Sequence, residues 1–263
     1  MIKLSGKDVT FGENTISQSG QRLLTKSGIR EHFLSGKRKT GFHWNGHRFP
    51  PPEAGCVLYL PGYPAQGSIL QDFSGQGNNG TITGATWERL PSGLWVQYFD
   101  GTDDYVNCGA VIALGECTFK FWFKSGHSAG NVGIIGFNGV ASNIGFSLIG
   151  TAPLLFLNAS NYQYFVDISA YLDSKWHLCF LYIAGSGLND IDNCSLQVDS
   201  NNIAKDGAPV KTVSPNVWSS LIWGRNSNGP INTYLGLEQV VSGSVAAPVR
   251  VKSFVQERHL FGV

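Results

Sequence analysis

Apolar and polar residues alternate with a period of two along much of the chain. The run "TFKFWFK" (residues 118–124) shows it most clearly, and "SKWHLCFLYIAG" (174–185) repeats it. Successive side chains of a strand point to opposite faces, so this pattern predicts half-buried β-strands. "NVGIIGF", "IGFSLIG", "PLLFLNAS" and "CSLQVDS" are shorter apolar runs set off by Gly, Asn or Ser. They recur at intervals of roughly ten residues, the spacing of a sandwich of antiparallel sheets. Helical periodicity is nearly absent. The C-terminal "VKSFVQERHLFGV" reads equally as a short turn of helix or as a last strand.

The first fifty residues differ from the rest. "TGFHWNGHRF" alternates around Asn45-Gly46, a hairpin signal. "RFPPPEAG" then places Pro50, Pro51 and Pro52 in a row, a stiff extended linker that cannot continue a β-ladder. Residues 1–50 carry nine Lys/Arg against three Asp/Glu, a net charge of +6, whereas 51–263 carry ten against fifteen, a net of −5. The expected organisation is a basic N-terminal docking arm over 1–54, ending in the proline-rich linker, and a β-sandwich over 55–263. The arm's candidate docking residues are Arg30, Lys37, Arg38, Lys39 and Arg48. Three consecutive cations in "SGKRKTG" make too narrow a patch for nucleic acid, so a protein contact is the expected use.

Composition narrows the picture. The chain is 42% hydrophobic and holds 33 glycines, which suits many strands joined by many turns. No apolar run reaches the roughly 18 residues that span a bilayer. "MIKLSGKDVTFGENT" lacks the apolar core of a secretory signal. Cys56, Cys108, Cys117, Cys179 and Cys194 are odd in number and form no CxxC pair, so reduced thiols and assembly in a reducing cytoplasm are expected.

Several ordered motifs carry a family likeness. They are "DFSGQGNNG" (72–80), "ATW" (85–87), "FDGTDDYV" (99–106), the Trp-His strand "DSKWHLCFLYIAG", and "YLGLEQVVSGSVAAPVRVKSF" near the end. Together, over residues 56–263, they resemble the laminin-G-like, concanavalin A-like lectin/glucanase domains. The resemblance implies an all-β jelly-roll sandwich of two antiparallel sheets. It also implies one structural calcium ion, for which Asp72 and Glu238 are the candidate ligands, although the family more often has Asp at the second position. "FDGTDDYV" itself reads as strand, turn and strand, with Asp103 and Asp104 accepting local backbone N–H bonds. The fold hosts lectins, hydrolases and adhesion modules alike.

Catalytic signatures are missing. The paired carboxylates of laminarinase-type relatives do not occur, and Asp190 and Asp192 sit in loop-like "NDIDNC". There is no HExxH, GxSxG or Walker A motif. Trp95, Trp218, Trp223 and Tyr234 can stack on sugar rings or fill the core. The expected role is therefore non-enzymatic. It is a structural or adhesion component of a virion, as capsid decoration, tail or fibre of a bacteriophage, in multiple copies. The arm would dock on a neighbouring virion protein and the lectin-like domain would face host glycans. The alternatives are a carbohydrate-binding module of a secreted or cell-surface protein, and a degenerate glycoside hydrolase.

Overall fold

The computed structural model describes residues 50–62, 67–111, 116–137, 145–158, 161–185, 189–212 and 220–263, and the backbone of the strands named next within the first 49. Contacts divide the chain into two compact units, Met1–Pro51 and Pro52–Val263.

The first unit contains β1 (Val9–Phe11), β2 (Asn14–Ile16), β3 (Leu23–Leu24), β4 (Arg30–Glu31), β5 (Phe33–Leu34), β6 (Lys37–Arg38), β7 (Phe42–Trp44) and β8 (His47–Phe49). Six of these form an antiparallel sheet in the order β1-β2-β3-β4-β7-β8, and β5 pairs with β6. β7 and β8 pair with Trp44 opposite His47, the register expected of a two-residue Asn-Gly connection. Arg30, Lys37, Arg38 and Arg48 thus lie on strands. Their side chains, and Lys39 entirely, fall outside the described part.

The second unit runs through β9 (Cys56–Leu60), β10 (Ile69–Leu70), β11 (Gly80–Thr83), β12 (Thr86–Arg89), β13 (Trp95–Asp100), β14 (Tyr105–Gly109), β15 (Cys117–Lys124), β16 (Asn131–Phe137), β17 (Gly145–Ile149) and β18 (Ala152–Asn158). It continues with β19 (Asn161–Tyr164), β20 (Trp176–Ile183), β21 (Ser195–Val198), β22 (Asn201–Ile203), β23 (Val210–Lys211), β24 (Leu221–Trp223), β25 (Arg225–Asn226), β26 (Gly229–Pro230), β27 (Asn232–Ser242) and α1 (Ala247–Phe261). One sheet orders β10-β11-β14-β24-β16-β17-β18-β19-β23. The other orders β12-β13-β27-β15-β20-β21-β22, with β9 also on β27. All pairings are antiparallel, and the result is a two-sheet, jelly-roll-type sandwich.

The alternation in β15 explains how the sheets meet. Phe119, Phe121 and Phe123 point inward with other apolar side chains of the core. Phe119 lies 5.6 Å from Phe137, and Phe121 lies edge-on to Trp223 at 5.5 Å, both partners belonging to the opposite sheet. The turn between β13 and β14 passes from one sheet to the other. "FDGTDDYV" is therefore a crossing between layers and not a hairpin. Phe99 and Val106 enter the core from either side of it, and Gly101 takes a positive φ of 83°.

The intervening positions of β15 face outward, yet Lys120 and Trp122 are fully buried. The cover is α1. Trp122 stacks on Phe261 at 4.3 Å and on Phe254 at 5.8 Å. Lys120 Nζ donates to Glu257 Oε1 at 2.6 Å and to Glu53 Oε1 at 2.9 Å. Trp122 Nε1 donates to Glu257 Oε2 at 2.8 Å, and the Ser253 hydroxyl donates to Glu53. Glu53 N–H binds Gln239 Oε1, so the residue that follows the prolines is held by the sandwich.

The C-terminal segment is thus a helix of 15 residues, not a short turn or a strand. Its buried stripe is Ser253, Glu257 and Phe261, at helical i, i+4 spacing but mostly polar, while Val251 and Val255 face solvent. Apolar periodicity cannot register a helix whose polar side is the buried one.

Candidate functional site

The register of four strands builds the site. Tyr98 on β13 is opposite Tyr234 on β27, Tyr234 is opposite Lys124 on β15, and Lys124 is opposite Trp176 on β20. Residues directly opposite share a face, so these side chains form one row on the outer surface of the sheet. The row continues the stack under α1, since Trp176 packs 4.8 Å from Phe261. Beyond the end of the helix it opens to solvent. Tyr98 and Tyr234 are half-buried, with ring centroids 4.7 Å apart. Lys124 Nζ lies 5.0 Å from the centre of the Tyr234 ring. Burial raises the Tyr234 hydroxyl, followed by the charge and hydrogen bond of Glu88.

The loop after β15 closes one side of the row. Ser125 O accepts from Ser174 N at 3.0 Å, and Ser125 Oγ binds both the Asn232 carbonyl and His127 N–H. A Cβ at Gly126 would stand 2.7 Å from Ser174 Oγ, so glycine lets the two loops meet. Lys124, His127, Ser128, Ser174, Asn232 and Tyr234 then line an open groove of about 500 Å³. His127 Nε2 is buried and has no hydrogen-bond partner among the described residues. A second, apolar void between the sheets, beside Phe121, Ile134 and Leu235, measures only about 10 Å³, no more than one water needs.

The two residues singled out as calcium ligands have other environments. Asp72 Oδ1 accepts from Tyr59 N and Ser74 N, and Oδ2 accepts from Ser74 Oγ and Asn78 N, all at 2.7–2.9 Å. Four donors fill the lone pairs of a carboxylate, so Asp72 folds the "DFSGQGNNG" loop and offers no free oxygen to a cation. Glu238 is 1% exposed, with Oε2 unpartnered. Burial pushes its carboxyl up to about 8. With Asp72 already saturated by four donors, the pair does not offer the oxygens that the ion needs.

Asp100, Asp103 and Asp104 form the one group of three potential ligands within 4.8 Å among the described residues. Two of their oxygens accept backbone N–H bonds, Asp104 Oδ2 from Asp100 and Asp100 Oδ1 from Thr102. Asp104 thus accepts a local backbone bond as read from the sequence, while the second acceptor is Asp100 in place of Asp103. Asp104 is buried and its carboxyl is raised, first by burial and then by Asp100 and Asp103. Asp190 and Asp192 lie in a 3₁₀ turn. All five cysteines are free. Burial lifts Cys56 and Cys117 to about 12 and Cys194 to about 11, which leaves them unreactive. Of the aromatic candidates, Trp223 is core, Trp95 is half-buried beneath Arg89, Tyr234 is in the groove, and Trp218 lies outside the described residues.

His177, in the Trp-His strand, is clamped by two carboxylates. Nδ1 lies 2.9 Å from Asp199 and Nε2 lies 3.1 Å from Asp173. Burial opposes its charge, but the bonds to Asp199 and Asp173 prevail and raise its pKa. The folded state therefore binds this proton more tightly than the unfolded chain. The added stability is complete below the ordinary His value of about 6.5 and fades as pH rises through the folded value. The stability advantage over His177→Asn should accordingly be present at pH 5 and shrink by pH 9 in urea titrations. A constant difference would mean that the clamp is not ionic.

No protein-family model matches the chain, and no curated protein does. Solved structures do match in shape. The binding domain of botulinum neurotoxin DC, in complex with rat synaptotagmin II, superposes with a TM-score of 0.57 at 15% identity, over 77% of this chain and 51% of that one. The shared fold is a two-sheet antiparallel β-sandwich. A second neighbour is botulinum neurotoxin type C, whose cell entry is dependent upon interaction with two ganglioside molecules (TM-score 0.56, 13% identity, 77% and 51% covered). A third is a mutant of Trypanosoma rangeli sialidase displaying trans-sialidase activity (0.55, 16%, 81% and 34%). The chain spans about half the length of the neurotoxin domains and about a third of the sialidase.

Proposed function

We propose that the sandwich is a non-enzymatic carbohydrate-binding module and that the groove beside Tyr234 is its binding site. The half-buried Tyr98–Tyr234 pair carries the reading. Tyr234, braced by Tyr98, gives the groove an aromatic wall beside hydroxyl, amide and imidazole groups, a combination suited to a sugar ring. The groove-lining residues include no carboxylate, whereas glycoside hydrolysis needs two about 5–10 Å apart. The likeness to receptor-binding domains supports the reading. The test is a glycan array on the full chain and on Tyr234→Ala. Loss of the binding profile in a variant that melts somewhat lower but still cooperatively is expected; an unaltered profile would remove the groove from consideration.

The first unit is the proposed attachment element, by which the module sits on a larger assembly such as a virion. Its net charge of +6 over fifty residues and its division from the sandwich at Pro51/Pro52 support that role. A full-chain variant carrying K37E, R38E and K39E should fold with an unchanged sandwich transition yet be missing from assembled particles. Unimpaired incorporation would argue for an attachment surface elsewhere.

A further inference from the structure

Resting on the reading of the groove as a saccharide site, we infer that its ligands are anionic saccharides, sugars carrying a carboxylate or a sulfate ester. Lys124 is the first reason. Lys120, Lys175 and Lys211 of the same sandwich each hold a carboxylate. Lys124 makes no ion pair with a described residue, and its ammonium instead rests near the Tyr234 ring at the groove wall. A cation fixed in this way, without a protein counter-ion, is free to take one from a ligand.

The second reason is the acid-free lining, on which His127 also stands, its backbone N–H bonded to Ser125 Oγ. Two neighbouring carboxylates lie off the lining. Glu88 accepts from the Tyr234 hydroxyl, and Asp100 accepts from Thr102 N–H in the adjoining turn. The lining itself has lysine, histidine, serine and asparagine but no acid.

A pyranose laid in the groove beside Tyr234 would bring an acidic substituent to Lys124, with Ser128, Ser174 and Asn232 left for hydroxyl groups. A neutral sugar would use the same aromatic wall and leave the lysine without a counter-charge.

The experiment titrates the full chain at low salt with 3′-sialyllactose, 3′-sulfolactose and lactose, by calorimetry and by saturation-transfer NMR. The acidic sugars should bind about tenfold tighter than lactose or better, the gain of a charge-assisted bond. The advantage should shrink as salt is added. Lys124→Met should bring the acidic sugars down to the affinity that the same variant has for lactose, and Tyr234→Ala should weaken all three. Lys124 is half-buried at a strand end, and melting curves verify that both variants fold. The acidic sugar with the larger advantage identifies carboxylate or sulfate as the preferred group. Equal affinity for all three sugars would overturn the anionic class and leave the saccharide reading standing. Binding of none would overturn the saccharide reading itself. An acidic preference that survives Lys124→Met would place the anion site outside this groove.

Discussion

Replacing Lys120 with Met should destabilise the sandwich by about 3–5 kcal/mol, the cost of leaving one side of a buried ion pair without its partner. Lys120 is 0% exposed, and Glu257 is 2% exposed. Burial works against the ammonium, but Glu257 and Glu53 outweigh it and hold its pKa above the ordinary value. Methionine fills much of the same space, so packing loss is small and the deficit is electrostatic. Two carboxylates are then left facing an apolar surface beneath α1. The helix should loosen before the sheets do, and Trp122 fluorescence should shift to the red as its stacking on Phe261 is lost. A second change separates charge from shape. K120M with E257Q keeps an acceptor for Trp122 Nε1–H and removes one of the stranded charges. It should recover much of the loss in urea titrations. A K120M variant within 1 kcal/mol of the parent would show that the ion pair contributes nothing to holding the helix.

The other large effect has the opposite sign. Glu238→Gln should stabilise the protein, and the gain should grow with pH. The carboxyl titrates near 8 in the folded protein, against about 4.5 when exposed. Between these values the unfolded chain has released the proton and the folded chain still holds it. Stability therefore falls with rising pH across this window. At about 1.4 kcal/mol per pH unit, the penalty reaches on the order of 5 kcal/mol by pH 8. Glutamine carries no such proton. Melting temperatures of parent and variant should nearly coincide at pH 4.5 and separate widely at pH 8. A gap of the same size at both values would show that Glu238 is ionised in the core.

The position of Glu238 also shows what a sequence hides. It follows Leu237, which takes a positive φ of 51° where the register between β15 and β27 shifts. The bulge brings Glu238 directly opposite Leu60, a residue of the sandwich core. Nothing in "YLGLEQVV" announces the extra residue, and the acid reads naturally as a metal ligand. The strands themselves were legible because Phe119, Phe121 and Phe123 alternate with polar neighbours. The same alternation misleads at Lys120, a residue that looks solvated until α1 covers it. The C-terminal segment reads as helix or strand alike because the buried stripe of α1 includes Ser253 and Glu257 while its valines point outward. The groove was only partly visible. Tyr234 stood out as an aromatic, but Lys124, His127, Ser174 and Asn232 come from separate segments. Only the pairing of β13, β27, β15 and β20 aligns them, and apolar periodicity carries no information about register.

β27 has a mechanical consequence. Its first residue, Asn232, lines the groove, and Gln239, seven residues along, holds the backbone of Glu53 just after the prolines. A tether pulling at Glu53 against a ligand anchored at Tyr234 would therefore draw along the strand. Hydrogen bonds of an antiparallel ladder run perpendicular to the strands, and Glu53 leads into β9, which pairs with β27, so such a load falls on the β9–β27 ladder in shear and cannot unzip it one bond at a time. Load applied between the two ends of β27 is thus borne in shear along its length.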